Sequence, residues 1–428
     1  MRYARVFLSH ASPDKPLVEA VADALARRGI IAWLDKHELY PGLDLTQALA
    51  QAIREHTLVA AFLSKDSLGS PWVDDELMVA LAQEDRTRSS EQSSAVVPIF
   101  LGEAYDLVRD HPRLRSRWLH PDGNRVERLG IKDSGQDSNT ARAKHIADGL
   151  ASSLYQRMGT AAADDIALLL DQRGDGMRTG LPGWVPSNLE RLDIPALVFR
   201  PDLASRTRDE VLGGQKWNGL ADDLVQAISD ALGPRRPTPR KIRILGGSQL
   251  ALPFLLGQRL DRTFGAALYG YDRAGMPLEI DLATFDVPLA GGTHNCARMH
   301  DQLASLPQVT AGTRPASLVL LVLKDESSYL QVAGSYLQAC GNPSPVAWIP
   351  HPPEIRSADQ VVALARDIKA FTEHVGARSI EIITSLPFHV LPLLGALLSP
   401  HVFGRVTFLE RDRKAADDRD GYVPLLLP

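Results

Sequence analysis

A tryptophan and a glutamate four positions apart, Trp72 and Glu76, have the clearest capacity for chemistry in this chain. On a helix this spacing places both side chains on one face. A carboxylate there could offset the positive charge that develops on a ribose ring when its glycosidic bond breaks, and an indole could stack on a flat ring. One carboxylate is sufficient where the leaving group needs no proton, whereas ordinary glycosidases use two. The bond between nicotinamide and ribose in NAD meets this condition, because the pyridinium leaves as a neutral base.

Other interpretations of this stretch stay open. Asp74, Asp75 and Glu76 are also what a solvated acidic helix N-terminus contains, with Trp72 facing the core, and the helix dipole favours such a sequence. Asp75 and Glu84 are rival carboxylates; on a helix Asp75 points about 100° away from Glu76.

The elements around these residues alternate between strand and helix, which predicts βαβ units and a parallel sheet. Open α/β sheets bind ligands at the carboxyl ends of their strands. The small residues 159–163 then indicate a linker. The predicted strands are Arg5–Ser9, Ile30–Leu34, Leu58–Leu63 and Val96–Leu101, and the predicted helices are Leu17–Arg28, Leu45–Glu55, Asp74–Gln83 and Ala141–Met158.

Three blocks in this order, Val6–Lys15, Trp33–Gly42 and Trp72–Glu76, resemble the TIR domains that hydrolyse NAD. The resemblance implies a flavodoxin-like parallel-sheet domain over residues 1–157, with Glu76 as the catalytic glutamate. It also implies a mobile BB loop from Trp33 to Leu45, in which Asp44 and Leu45 contact a neighbouring copy. The implied substrate-binding residues are Ser9, His10, Asp14, Trp33 and Trp72.

Two points in this resemblance stay open. His10 could instead be a polar residue at a strand end that forms a local hydrogen bond. The first loop also departs from relatives that carry basic or aromatic residues there, so the groups that bind the NAD pyrophosphate are not assigned.

The rest of the chain contains an internal repeat, with pseudo-repeats at about 161–300 and 315–428. In each half a strand ends near a serine and a helix containing Leu-Pro follows. The pattern predicts two fused Rossmann-like halves with one ligand across their pseudo-twofold axis. The two matching runs are Gly246-Gly247-Ser248 before Leu252–Gly257, and Thr384-Ser385 before Leu391–Gly395.

Basic residues are in surplus around the Gly246-Gly247-Ser248 turn: residues 235–273 contain eight basic and two acidic side chains. Such a turn followed by a helix could bind phosphate through its backbone N–H groups. A basic linker beside a tight strand-to-helix turn would look the same. The turn is neither a Walker loop nor a nucleophile elbow, since Leu250 stands where the elbow needs its second glycine.

The segment 161–428 resembles a SAVED domain, in which two CARF-like halves bind cyclic oligonucleotides in bacterial CBASS anti-phage systems. The matching runs are Ala167–Arg173, Gly246–Gly257 and Thr384–Phe388. The resemblance implies ligand contacts at the strand ends of both halves, where Lys324 could equally be an ordinary solvated lysine. The implied contacts are Gln172, Arg173, Gly247, Ser248, Gln249, Lys324, Asp325, Ser385 and Phe388.

Together these resemblances predict an NAD⁺ hydrolase activated by a cyclic di- or trinucleotide, which drives head-to-tail filament assembly and antiviral NAD depletion. NAD⁺ is a substrate here and no cofactor or metal is expected. The alternative is a non-catalytic TIR scaffold assembled by the same messenger. A second rival is a constitutive nucleotide hydrolase whose C-terminal half binds substrate.

Composition bounds these hypotheses. The 428 residues are 44% hydrophobic and 23% charged, which suits two or three globular domains. A net charge of −5 argues against general DNA binding. Two distant cysteines, Cys296 and Cys340, indicate neither a disulfide framework nor a zinc site. The sparse cysteines also indicate a reducing compartment, and no apolar run approaches the ~20 residues of a membrane span. We therefore expect a soluble cytoplasmic protein.

Overall fold

The computed structural model describes residues 1–34, 58–68, 96–110, 130–135, 138–171, 184–200, 215–233, 240–247, 251–260, 266–272, 275–281, 317–339, 346–398, 405–411 and 422–425. These residues form a mixed α/β fold with three sheets, and each sheet is built mainly from parallel strands. The predicted fold class, a parallel-sheet N-terminal domain followed by two Rossmann-like halves, is confirmed.

The N-terminal sheet has the strand order β3-β2-β4-β5-β6, and all its neighbouring strands are parallel. This order, second-first-third-fourth-fifth, is that of flavodoxin-like folds. Its three central strands, Arg5–Ser9, Leu58–Leu63 and Val96–Phe100, are mostly apolar and buried, as parallel strands covered by helices should be. The strands are β2 (Arg5–Ser9), β3 (Ile31–Leu34), β4 (Leu58–Leu63), β5 (Val96–Phe100) and β6 (Ile131–Lys132). The helices are α1 (Lys15–Ala26), α2 (Lys65–Leu68), α3 (Ala104–Asp110) and α4 (Asn139–Met158).

The second sheet, which we call the first half, is preceded by a 3-10 turn at Thr160–Ala162. Its order is β1-β8-β7-β9-β10-β11, so a strand from the very start of the chain lies at its edge. Its strands are β1 (Arg2–Tyr3), β7 (Asp165–Asp171), β8 (Pro195–Phe199), β9 (Arg240–Gly247), β10 (Ala266–Tyr271) and β11 (Pro277–Asp281). Its helices are α5 (Ser187–Glu190), α6 (Gln215–Leu232) and α7 (Ala251–Arg259).

The third sheet, the second half, has the order β13-β12-β14-β15-β16. Without β1, the first half has the same order, and in both halves the fifth strand is antiparallel to the fourth. The internal repeat seen in the sequence is therefore also a repeat of topology. The strands are β12 (Ser317–Leu323), β13 (Val346–Pro350), β14 (Ser379–Thr384), β15 (Arg405–Arg411) and β16 (Tyr422–Leu425). The helices are α8 (Glu326–Ala339), α9 (Ala358–Val375) and α10 (Leu391–Leu397), with a 3-10 turn at Phe388–Val390.

The two halves meet where α7 packs against α10, the helices that contain the Leu-Pro runs. Each helix brings a glycine against the backbone of the other. A Cβ at Gly257 would lie 1.9 Å from the carbonyl oxygen of Pro392, and one at Gly395 would lie 2.1 Å from that of Phe254. Only glycine allows backbones to approach this closely, so the repeated Leu-Pro…Gly pattern specifies the seam between the halves.

The N-terminal sheet contacts the first half through backbone hydrogen bonds. Strand β1 pairs in parallel with β8, and after the single residue Ala4 the chain enters β2. The Ala4 N–H donates to Ala196 O at 3.0 Å, and the Val198 N–H donates to Gly29 O at 2.8 Å. The N-terminal sheet is thus joined to the first half in two ways: the chain runs from β1 through Ala4 into β2, and backbone hydrogen bonds connect Ala4 and Gly29 to β8.

None of the helices in the described part of the chain combines the length and apolar character needed to cross a membrane.

Candidate functional sites

Ser9 and His10 lie at the carboxyl end of β2, as predicted for the first loop. Ser9 is buried, and His10 is partly exposed. The Nδ1 atom of His10 lies 3.1 Å from the carbonyl oxygen of Leu8, two residues earlier. This is the kind of local hydrogen bond that the alternative interpretation of His10 expects, and a role in substrate binding stays a prediction.

Asp14 connects the first loop to the end of β4. The hydroxyl of Ser64 donates to Asp14 Oδ2 at 2.7 Å. Ser64 is itself held by Ser67, whose hydroxyl accepts from the Ser64 N–H at 2.6 Å. Burial raises the pKa of the Asp14 carboxyl, and the bond from Ser64 opposes that rise. A half-buried carboxyl therefore lies at the carboxyl edge of the N-terminal sheet, where α/β folds bind ligands.

Trp33 lies within β3 rather than in the BB loop predicted to begin there. Its indole is only 8% exposed and stacks on Phe7 with ring centroids 4.9 Å apart. The apolar strand Ile31–Leu34 extends through this residue because its side chains pack into the sheet. The prediction that the BB loop begins at Trp33 is therefore wrong, because β3 continues to Leu34, and a contact between Trp33 and substrate stays a prediction.

The remaining predicted residues of the N-terminal site lie outside the described residues. They are Glu76, Trp72, Asp44 and Leu45, together with the rival carboxylates Asp75 and Glu84.

At the carboxyl edge of the first half, a buried ion pair joins β7 to β8. Asp171 ends β7, and Arg200 follows β8. Arg200 Nε lies 3.1 Å from Asp171 Oδ2, and the Trp184 indole N–H donates to Asp171 Oδ1 at 3.3 Å. The side chains of Asp171 and Arg200 are only 6% and 14% exposed. Both oxygens of this buried carboxylate are therefore bonded, which fixes the end of the strand.

Gly246 and Gly247 end the neighbouring strand β9, beside Leu170 and Asp171. Gly246 has a φ of 153°, and a Cβ there would lie 2.2 Å from the Leu170 carbonyl oxygen. Position 246, the first glycine of the predicted phosphate turn, therefore needs glycine because the backbone of the neighbouring strand leaves no room for a side chain. Gln172, Arg173, Ser248 and Gln249, the other ligand contacts predicted for this half, lie outside the described residues.

Two arginines of the basic surplus near this turn have structural roles. Arg240 is buried at the start of β9 and donates to the carbonyl oxygens of Leu232 and Ala161. Arg243 donates to both carboxylate oxygens of Asp165, at 2.7 and 2.5 Å. The guanidinium groups of these two arginines are therefore bonded within the protein, and a phosphate site at the turn stays a prediction.

At the carboxyl edge of the second half, Ser385 lies over a buried histidine. Ser385 is exposed and follows β14. Its hydroxyl oxygen is 3.2 Å from Nε2 of His351, which follows β13 and is only 6% exposed. The Thr384 hydroxyl donates to Val322 O at 2.8 Å, which fixes the turn that carries Ser385.

Lys324 and Asp325 follow β12 at the same edge. The Asp325 carboxylate accepts from the Ser328 N–H at 2.8 Å and the Ser327 hydroxyl at 2.9 Å, so it caps the start of α8. These bonds lower its pKa to about 2. The side chain of Lys324 is 58% exposed and lies 3.9 Å from Asp325. An exposed strand-end lysine is what the alternative interpretation expects, although it also leaves the ammonium accessible to an anion.

Phe388 lies in the 3-10 turn before α10, where its ring is partly buried against the main hydrophobic core. Phe388 therefore packs against the hydrophobic core, three residues after Ser385. Its predicted contact with ligand stays a prediction.

No motif in the sequence singles out Arg200, Trp184 or His351. A weak signal was present, because Arg200 and His351 each follow a short apolar strand and each precede a proline. A residue before proline favours an extended conformation, which suits a strand end.

Comparison with known protein families finds a match in the N-terminal region. Residues 6–129 match the TIR domain family. This TIR match covers β2 to β5 and the loop residues Ser9, His10 and Asp14. No curated protein matches the chain.

Among solved structures, the chain is similar to Cap4 SAVED/CARF-domain containing receptors. With the Acinetobacter baumannii receptor holding the cyclic trinucleotide 3′3′3′-cAAA, identity is 10% and the TM-score 0.38, over 100% of this chain and 81% of that chain. With the same receptor holding 2′3′3′-cAAA, identity is 11% and the TM-score 0.40, over the same shares of the two chains. With the Moraxella osloensis receptor, identity is 10% and the TM-score 0.39, over 96% of this chain and 97% of that chain.

Proposed function

We propose that this chain is an NAD⁺ hydrolase that a cyclic oligonucleotide switches on by binding to its duplicated C-terminal unit. The match of residues 6–129 to the TIR domain carries the proposal, since the motifs around Glu76 lie within the matched region. Further support comes from the position of Ser9, His10 and Asp14, which lie together where flavodoxin-like sheets bind ligands.

In the proposed reaction, Glu76 stabilises the developing oxocarbenium charge and holds the ribose hydroxyls. Nicotinamide leaves as a neutral base, so no side chain has to protonate it. Water then adds to the ribose carbon, which yields ADP-ribose. The contribution of the protein is electrostatic and positional, and removal of one such group typically lowers kcat by about 10²–10³-fold.

The sensor role is assigned to the two carboxyl edges of the duplicated unit. Sequence resemblance to SAVED domains supports this role. The geometry adds that polar side chains lie at strand ends on this edge of both halves. They are Asp171 and Arg200 in the first half, and Lys324, His351 and Ser385 in the second. Hydroxyl, imidazole and cationic groups suit the phosphates of a cyclic nucleotide.

Transmission from sensor to TIR domain uses β1 and β8. Strand β8 leads to Arg200 at the candidate ligand edge, and it pairs with β1, which continues through Ala4 into the first strand of the TIR sheet. A displacement of β8 would therefore reach the loop that carries Ser9 and His10. This route supports a gated enzyme rather than two independent modules.

Gating itself is proposed to act through assembly. Ligand drives a head-to-tail contact between chains, and because such a contact is heterologous it can extend into a filament. The BB loop of one copy, with Asp44 and Leu45, then completes the pocket around Glu76 of the next. Depletion of NAD in an infected bacterial cell follows only after the signal, as in a CBASS-type antiviral response.

The test is simultaneous measurement of NAD loss and light scattering for the full chain, across a panel of cyclic di- and trinucleotides. We expect both signals to rise together with one ligand. The variant Glu76→Gln should assemble but lose NAD turnover, whereas Glu84→Gln, which removes a rival carboxylate, should retain it. Assembly without turnover in the unmodified chain would support the non-catalytic scaffold and reject hydrolysis.

A further inference from the structure

The pair His351–Ser385 has an arrangement that the proposed function does not use. His351 is buried, and the exposed Ser385 lies above it at the carboxyl edge of the second half. Nε2 of the ring is 3.2 Å from Ser385 Oγ, and Nδ1 is 2.7 Å from the carbonyl oxygen of Pro352. Both ring nitrogens are therefore within hydrogen-bonding distance of a partner, and one of these partners is the side chain of the exposed Ser385.

The partners determine where the protons lie in the neutral ring. A carbonyl oxygen only accepts, so Nδ1 carries the proton and donates to Pro352 O. Nε2 is then unprotonated and accepts from the Ser385 hydroxyl. In this state the single proton of Ser385 points inward and is not available to a ligand. If Nε2 gained a proton, it would donate to Ser385 Oγ, and the serine proton would turn outward.

The surroundings of His351 favour the neutral form of its ring. Burial lowers its pKa, and the charge of Lys324 lowers it further, whereas the carbonyl of Pro352 and the charge of Asp325 act in the opposite direction. In the part of the chain that the structure describes, the charged groups that act on the ring are Lys324 and Asp325, and both follow β12. A neutral imidazole beneath an exposed hydroxyl is thus the resting state near neutral pH.

We propose that Ser385 and His351 form a proton-linked subsite for one phosphate of the activating nucleotide. The inference rests on the proposed sensor function. A phosphate oxygen accepts the outward hydroxyl proton of Ser385, and Nε2 of His351 takes up one proton from solvent and donates it to Ser385 Oγ. The N–H bond formed at Nε2 is the one covalent change, and the contacts from Nε2 to Ser385 Oγ and from Ser385 to the phosphate are hydrogen bonds. Ser385 contacts the ligand, and His351 is a positioning residue that acts through it.

The first half offers no equivalent relay among its described residues. Directly after Leu170, the first half has the ion pair of Asp171 with Arg200. The residue that pairs with Asp171 on the next strand is Gly247, which has no hydroxyl. In the second half Ser385 follows Thr384, the residue that pairs with Val322. Among the described residues, such a proton linkage is therefore found in the second half.

The test is calorimetric binding of cyclic nucleotides to the full chain from pH 5.5 to 8.0, in two buffers of different ionisation enthalpy. The probes are the same panel of cyclic di- and trinucleotides. We expect net proton uptake, and a Kd that rises with pH by up to about tenfold per unit where His351 titrates. Binding of a probe with no proton uptake and a flat pH profile would overturn the relay but leave the sensor function. Failure of every probe to bind would overturn both.

Variants separate the relay from simple packing. Ser385→Ala should weaken binding about tenfold or more and remove the pH dependence, whereas Ser385→Thr retains a hydroxyl and should restore both. His351→Gln should make affinity independent of pH while the protein remains folded by circular dichroism. His145→Gln, a histidine on α4 in the N-terminal domain, is the control and should keep the slope. An unchanged slope in the folded His351 variant would contradict the proposal.

Discussion

The first and second halves of the duplicated unit share a strand order but differ in the chemistry at their carboxyl edges. In the first half, a buried carboxylate is bonded to Arg200 and Trp184. In the second, a buried imidazole is bonded to an exposed serine. The ion pair of the first half fixes a strand end through opposite charges. In the pair of the second half, the addition of one proton to the imidazole reverses which group donates the hydrogen bond and which accepts it. Duplication has therefore preserved the framework while the edges have diverged.

The seam between the halves, where α7 packs against α10, has kept the same feature in both halves. Gly257 and Gly395 occupy reciprocal positions on α7 and α10, each against a carbonyl oxygen of the other helix. The contact tolerates no side chain at either position, so both copies of the repeat have kept glycine. Packing constraints are symmetric here, whereas the chemistry at the strand ends is not.

The largest effect on stability is expected from the buried pair of the first half. Arg200→Met should lower the free energy of unfolding by about 3 kcal/mol, because Asp171 stays buried without its cation. Chemical denaturation measures this. Arg356→Met in the second half is the matched control, since the pair of Arg356 with Glu354 is 80% and 66% exposed; its effect should stay within about 0.5 kcal/mol. If both variants changed the free energy of unfolding equally, the buried ion pair would not be what stabilises this edge of the first half.

A smaller effect is expected at the seam. Gly257→Ala should destabilise the protein by roughly 1–3 kcal/mol, because its Cβ would collide with Pro392 O and the helices would have to separate. Gly334→Ala on α8 is the control: nothing lies within 4 Å of the added Cβ. That variant should gain about 0.5–1 kcal/mol from helix propensity. Thermal unfolding of both variants decides the point, and a stabilised Gly257 variant would contradict the reciprocal packing.

The smallest effect is a loss of stability on mild acidification, arising in the second half. Burial lowers the pKa of both His351 and His389 from the ordinary value of 6.5. The unfolded chain therefore binds more protons just below pH 6.5, so stability is present above that pH and falls as the pH drops. The fall is at most about 1.4 kcal/mol per pH unit for each histidine. Denaturation at pH 7.5 and 5.5 should show it, and His389→Gln should reduce the difference.

The sequence predicted the central strands well, for a physical reason. Runs such as Leu58–Leu63 are apolar on both faces, which is typical of buried parallel strands, and the structure places β4 at those residues. Strand β1 was missed because two residues, Arg2 and Tyr3, have no periodicity of their own. They form a strand only because β8 is present to pair with them.

The candidate sites were harder to predict, because their partners are distant in sequence. Asp171 and Arg200 are 29 residues apart, and His351 and Ser385 are 34 apart. Composition also misled: Arg240 and Arg243 raise the local positive charge, yet both bond inside the first half. A sequence motif shows which residue types are present, but the order and register of the strands determine which side chains come into contact.

The most direct test of the account is NAD turnover by the full chain with and without its cyclic nucleotide, followed alongside the molecular mass in solution. We predict negligible turnover by the free chain, and a rise that coincides with assembly and is absent in Glu76→Gln. A well-folded, ligand-free monomer that hydrolyses NAD at the full rate would contradict the account.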